Sequence, residues 1–288
     1  MLNLQIRDIA IFDDLVRYRF LDRKQVQRLH FPEDATGRAC RRRMHELVAA
    51  GYVDRLSLLY AHPIAGSPAA VFQLSRKGYQ YLADHHDDER LRVVPTESVL
   101  PHLLQHWLAL SETHIMLDKA ISLQSAVTLN GWVNEYDIVN KSEQSPEKRY
   151  CLYTLIRENP RLVCAPDAGF LLSAGEHSRV YYVEQDRATS GVQQLASGKT
   201  KGYAAMFENG LHKRHFSDAT LPAFRVLLIT TSKKRRDNIR AAIKTKPGAN
   251  LWWFASTDDL SPETFLTAPV WSVCGDDEAH PIIRKVEG

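Results

Sequence analysis

Residues 183–203 read VEQDRATSGVQQLASGKTKGY, and the fold of the C-terminal part depends on how this stretch is parsed. Gly198-Lys199-Thr200 looks like the end of a phosphate-binding loop. Such a loop has the form GxxxxGK[ST], because its glycines let backbone N–H groups close around the phosphates. The first glycine would fall at position 193, which is Gln193. The loop must also join an apolar strand directly to its helix, whereas this triplet sits inside a segment that reads as helix from about Gly191. No nucleotide cofactor is therefore expected. What remains is a strand ending in Glu184 and Asp186, a short loop, and a helix carrying Lys199.

Side chains at i and i+2 of a strand share a face, so Glu184 and Asp186 are expected to project together. The preceding apolar run, RLVCAPDAGFLL, carries Asp167 on a neighbouring strand. Three hard oxygen donors at one sheet edge suit Mg²⁺ or Mn²⁺. Lys199, on a helix that folds back across the sheet, can orient an attacking water or stabilise charge on a phosphate. Equally, Asp167 and Asp186 can cap turns while Lys199 forms a surface pair. The residues alone fit both readings.

Outward from this stretch, strands and helices alternate. The order is GWVNEYDI, RLVCAPDAGFLL, RVYYVEQD, the helix from Gly191, AFRVLLIT, the helix KRRDNIRAAIKT, and LWWFAS. Alternation of this kind predicts an α/β sheet covered by helices, preceded by the long amphipathic helix PHLLQHWLALSETHIMLDKAISL. Further upstream the polar run HHDDERLRVVPTES reads as a linker. The expected organisation is α+β in two domains: residues 1–90, a linker at 91–98, and residues 99–288.

The first 90 residues predict three helices, a hairpin and a closing helix, the layout of a winged helix-turn-helix. Ile9, Phe12, Leu15 and Val16 set a helical spacing in the first. Asp22 can cap the second, Thr36 can cap the third, and Gly51 can end it. VDRLSLLY and AVFQLS flank the loop AHPIAGSPA as the two hairpin strands. On the third helix Cys40, Met44, Leu47 and Val48 form an apolar face. Arg42 points the opposite way, with Arg38 and His45 beside it and Arg41 and Arg43 on the flanks. Outward arginines on such a helix suit guanine edges and phosphates in a major groove, and Arg55 on the first wing strand can reach a phosphate. Double-stranded DNA is the expected partner. A small helical bundle made soluble by its arginines, or a protein-binding winged helix, stays open.

Composition bounds the rest. A 288-residue chain with 44% hydrophobic and 25% charged residues has ample material for a core. No apolar run approaches the length of a membrane span, and the N-terminus mixes acids into its apolar residues, unlike a targeting peptide. Cys40, Cys151, Cys164 and Cys274 show neither zinc-ligand spacing nor a disulfide framework. A cytoplasmic protein is expected. The net charge of +3 identifies no partner; the basic clusters ACRRRMHE and TSKKRRDNIR say more. His102 and His106 are four apart on a predicted helix but lack a third ligand, so packing is expected of them. Trp252, Trp253 and Phe254 can stack on bases, though core or a subunit interface suits an apolar strand better. Lys233, Lys234, Arg235 and Arg236 suit either phosphate contact or a solvated helix start.

Pro166-Asp167, the stretch Glu184 to Thr189, and Lys199 four residues before Tyr203 carry a resemblance. From RDIAIFDDLVRYRFL through the wing, APDAGF, YYVEQDRATSG and GKTKGYAAM, the chain resembles the replication-relaxation family of plasmids and integrated mobile elements. The resemblance covers most of residues 1–235 and implies a winged helix joined to a restriction-endonuclease-like PD-(D/E)xK domain. It implies Asp167 and Glu184 as metal ligands, an acid, Asp186, where a standard nuclease has its lysine, and Lys199 as a lysine migrated to the helix. One further upstream acid is implied, with Glu135 favoured over Glu112. The expected function is DNA binding for a mobile element, with Mg²⁺-dependent cleavage or nicking by Asp167, Glu184, Asp186 and Lys199. The alternative is a non-catalytic regulator or accessory factor with an inactive nuclease-like domain. A homodimer would match symmetric DNA half-sites.

Overall fold

The computed structural model describes residues 2–58, 70–93 and 99–283. The wing loop expected at 61–69 and most of the expected linker, 94–98, lie outside the described residues. The chain is mixed α and β and divides into two compact units, residues 1–115 and 116–288. Among the described residues no helix is long and apolar enough to cross a membrane.

In the first unit, α1 (Ile6–Tyr18) buries Ile11, Phe12, Leu15 and Tyr18. Ile9 and Val16, part of the same helical spacing, are partly buried and pack against that core. Strand β1 (Leu21–Asp22) leads into α2 (Arg23–His30). Asp22 caps α2 as expected: its carboxylate accepts from Gln25 N at 2.8 Å while Gln25 Oε1 accepts from Asp22 N at 2.8 Å, a reciprocal capping box.

Helix α3 (Arg38–Ala49) corrects one expectation. Its cap residue is Gly37, in the left-handed region at φ 67°. The orphan N–H groups go chiefly to Asp34, which accepts from Cys40 N at 2.9 Å and Arg38 N at 3.2 Å. Thr36 supplies only a long contact of 3.4 Å to Arg38 N. A carboxylate reaching back from the preceding turn meets the positive end of the helix better than a hydroxyl does. Gly51 ends the helix as read: at φ 77° it lets Tyr52 N reach Leu47 O at 3.1 Å and Gly51 N reach Val48 O at 2.9 Å, the Schellman pairing.

Strands β2 (Val53–Leu56) and β3 (Val71–Leu74) pair antiparallel, Val53 against Leu74 and Leu56 against Val71, and β1 completes the sheet in the order β1-β3-β2. Helix α4 (Arg76–His86) is capped by Ser75 and folds over this sheet. Helix α5 (Leu104–Ser122) begins two residues after His102, so the helical spacing inferred for His102 and His106 does not hold. Its N-terminal part belongs to the first unit. Trp107 stacks on Phe20 at 5.1 Å between centroids, and Ser111 Oγ donates to Tyr18 O at 3.0 Å.

The second unit is built on a seven-stranded sheet. It comprises β4 (Val127–Asn134), β7 (Ala168–Ala174), β8 (His177–Gln185), β9 (Arg225–Thr230), β10 (Trp252–Ser256), β11 (Trp271–Val273) and β12 (Ala279–His280). The order is β12-β11-β10-β9-β8-β7-β4, with β8, β9 and β10 mutually parallel and the other pairs antiparallel. Helices α7 (Val192–Glu208) and α8 (Lys233–Ile243) are the crossovers between the parallel strands. They pack together in one core with Tyr182, Val226, Leu228, Trp252 and Phe254. The run RLVCAPDAGFLL is not one strand. It splits into β6 (Leu162–Cys164), which pairs with β5 (Thr154–Arg157) as a separate hairpin, and β7. Pro166, which lacks an N–H, stands at the break. Between β4 and β5 lies the single-turn α6 (Pro146–Arg149).

Candidate functional site

Gly198, Lys199 and Thr200 lie in the middle of α7, and Thr200 Oγ1 donates to Ala196 O at 2.7 Å. The triplet is ordinary helix. Lys199 instead points down onto the sheet. Its Nζ lies 2.9 Å from Glu184 Oε2 and 3.2 Å from Asp167 Oδ1, and it donates to Ala165 O at 3.1 Å.

The strand ends fix the carboxylates. Asp167 sits immediately before β7, where its Oδ2 accepts Gln185 N from the adjacent strand at 2.9 Å. Glu184 lies near the end of β8, 4% exposed. Glu135 follows β4, and its N–H donates to Asp167 O at 2.9 Å. Carboxylate oxygens of Glu135 and Asp167 lie within 4.8 Å of each other. Glu112, the competing upstream acid, pairs with Arg28 at 2.7 Å and accepts from Gln25 Nε2 at 3.0 Å within the first unit.

Tyr203, four residues after Lys199 on the same helix face, donates its hydroxyl to Glu184 Oε1 at 2.6 Å and is fully buried. Sequence reasoning gave Tyr203 no role, although the spacing from Lys199 was visible. Burial and the neighbouring Asp167 charge push the Glu184 carboxyl up to about 8, against the pull of Lys199 and Tyr203. Burial works against the Lys199 ammonium, but Asp167 and Glu184 outweigh it and hold the group above its ordinary value. Glu135 and Asp167 offer hard oxygen donors within 4.8 Å of each other, the kind that suits a divalent cation.

Asp186 does not join this group. Strand β8 ends at Gln185, and the Asp186 carboxylate is taken by Arg235 of α8, which donates from both Nε and Nη2, the latter at 2.8 Å. Thr230 Oγ1 donates to it as well, at 2.5 Å. Burial alone would raise the Asp186 carboxyl, but Arg235 and Thr230 hold it below its ordinary value. Arg235 was visible only as part of a basic run; its partner lies 49 residues away in the chain. Its neighbours are likewise engaged. Lys233 and Arg236 pair with Asp259 at 2.8 and 3.1 Å. Trp252 and Phe254 are fully buried core residues.

In the first unit α3 presents Arg38, Arg41, Arg42 and His45 to solvent, and Arg55 is exposed on β2. Arg42 keeps 80% of its side-chain surface exposed beside a loose 3.9 Å contact with Glu46. Arg43 is different, with 13% of its side chain exposed. It donates to both oxygens of the buried Asp8, to Glu46 Oε2 at 2.7 Å and to Asn3 O at 2.9 Å. Its position on the flank of the helix turns it toward α1, so it anchors the unit and is not available as an outward contact.

The fold and these two groups define a class: a mixed α/β chain with a basic helix face in one unit and a carboxylate–lysine cluster at strand ends in the other. The chain belongs to the replication-relaxation family, whose profile matches residues 12–219. That span includes α3 and the whole cluster. Membership suggests a role in the replication or mobilisation of plasmids or mobile elements. No curated protein and no solved structure matches the chain.

Proposed function

We propose that the chain is a DNA-binding protein of a mobile element, with a winged helix in the first unit and a PD-(D/E)xK nuclease-like core in the second. The observation that carries this reading is Lys199 Nζ standing between Glu184 and Asp167, at 2.9 and 3.2 Å, with Glu135 beside Asp167. The antiparallel order β4-β7-β8, followed by a helix and the parallel β9, is the framework such a site requires. Glu135, Asp167 and Glu184 would hold Mg²⁺ or Mn²⁺, which supplies Lewis-acid polarisation of a phosphodiester and a more acidic water. Lys199 adds a fixed positive charge where negative charge builds on the phosphate, and Tyr203 orients Glu184. Exposed Arg38, Arg41, Arg42 and His45 on α3, with Arg55 on the wing, would engage duplex DNA, phosphates setting position and base edges setting sequence. A homodimer on symmetric half-sites and a cytoplasmic setting belong to the same proposal.

A second reading is favoured by Asp186. The position two residues after Glu184, where a standard nuclease keeps its lysine, holds an acid committed to Arg235. On this reading the second unit binds DNA or a second copy without cleaving. Supercoiled plasmid and linear duplex incubated with wild type, Asp167→Ala and Lys199→Ala in Mg²⁺ or Mn²⁺ separate the two. Nicking or cutting lost in both variants is the expected result. Absent cleavage, with equal salt-sensitive retardation by all three proteins, would select the accessory factor.

A further inference from the structure

Arg179 on β8 and Arg225 on β9 form a pair of cations with no carboxylate partner among the described residues. Tyr181 stands directly opposite Arg225 in the parallel ladder, and Arg179, two residues before Tyr181, shares its face. That face is the opposite one from α7 and α8. Tyr181 stacks on Phe170 at 5.2 Å, and Phe170 on Trp132 at 5.6 Å, while the neighbouring Tyr182 faces the α7 side. Arg225 lies over the ring of Trp253 at 5.8 Å.

Both arginines are half-buried, and the Nε of each is buried without a hydrogen-bond partner among the described residues. Arg225 donates from Nη1 to its neighbour Phe224 O at 3.3 Å; no described carboxylate pairs with either guanidinium. Burial, then the repulsion of Arg179, lowers the Arg225 guanidinium from its ordinary value. Arg179 also hydrogen-bonds the Tyr181 side chain, but two like charges partly withdrawn from water with their Nε donors unspent are costly unless something anionic accepts from them. The guanidinium fork matches a tetrahedral oxyanion, and an aromatic ring alongside supports the cation. Glu184 lies five residues further along β8, roughly 17 Å at 3.3 Å per residue, and faces the other side of the sheet.

We propose that Arg179 and Arg225, backed by Trp253, form a phosphate-binding site separate from the carboxylate–lysine cluster. The phosphate can be a backbone phosphodiester of DNA or belong to a small phosphorylated ligand. The full chain is titrated with inorganic phosphate at constant ionic strength, without divalent metal, and its thermal midpoint followed. Wild type is expected to show a saturable rise, Arg225→Lys an apparent affinity about tenfold weaker because the fork is lost, and Arg179→Gln with Arg225→Gln no rise. Equal responses in wild type and the double variant, or no response in wild type, would overturn the proposal. Retardation of a duplex then separates the sources. Weaker duplex binding by the double variant assigns the site to backbone phosphate, and unchanged duplex binding, with the phosphate response lost, assigns it to a free ligand.

Discussion

At the residue scale the site is a conflict of charges, and Glu184 bears most of it. Its carboxyl is pushed from an ordinary 4.5 to about 8 by burial and by Asp167. Between those values the folded protein holds a proton that the unfolded chain has released. The Glu184 contribution to stability is therefore fully present below pH 4.5 and is lost as pH rises through 8. Glu184→Gln mimics the protonated form at every pH. Its stability relative to wild type is expected to grow across pH 5 to 8, by on the order of a few kcal/mol. Denaturant unfolding of both proteins over that range checks this, and parallel profiles would remove the conflict from the account. If Glu184 serves the proposed site, stability gained by removing it is the trade expected where a fold holds charges together for use.

At the element scale, α7 sets where Lys199 lands, and Gly202 sets how closely α7 approaches β6. A Cβ at Gly202 would stand 2.5 Å from Val163 O and 3.3 Å from Cys164 Cα, both backbone atoms. Gly198, one turn earlier, would meet nothing within 4 Å. The two glycines should respond oppositely to alanine. Gly198→Ala is expected to stabilise by about 0.5–1 kcal/mol through helix propensity. Gly202→Ala is expected to destabilise by about 1–3 kcal/mol through overpacking and to shift Lys199 from its carboxylates. Thermal unfolding of the two variants side by side is the test; matching shifts would show that the approach is not tight. These elements differed in how far the sequence disclosed them. Helix α7 was legible because its start near Gly191 is a local signal. The Asp22 cap was legible for the same reason. The β5–β6 hairpin, β11 and β12 were not, since two to four residues are too few to show an alternation. The cap of α3 depends on a turn that swings Asp34 back, which spacing does not encode. Lys199 was found as a candidate, but the separation of Asp186 from it depends on Arg235, a long-range partner invisible to any local pattern.

At the scale of the whole molecule, a net charge of +3 hides an uneven distribution. Much of the basic surface is spent internally: Arg43 on Asp8, Arg235 on Asp186, Arg236 on Asp259 and Arg28 on Glu112. Helix α3 keeps Arg38, Arg41 and Arg42 outward within two turns, among other exposed basic residues of the first unit. If that face meets DNA, affinity should depend on salt through a countable number of phosphates, each neutralised phosphate adding about 0.9 to the slope of log K against log salt. Replacing Arg38, Arg41 and Arg42 together by Gln should make the slope shallower by up to about 2.7, less where an arginine reads a base edge instead of a phosphate. Stability should change by less than about 1 kcal/mol, since the three are solvated. Arg43→Gln should do the reverse. It strands the buried Asp8 charge, at a cost of about 3–5 kcal/mol, while leaving the outward face intact in whatever fraction stays folded. Retardation measured across a salt series, paired with unfolding curves, separates the two kinds of arginine. A triple variant that stays folded and keeps the wild-type slope would move the DNA contact away from α3.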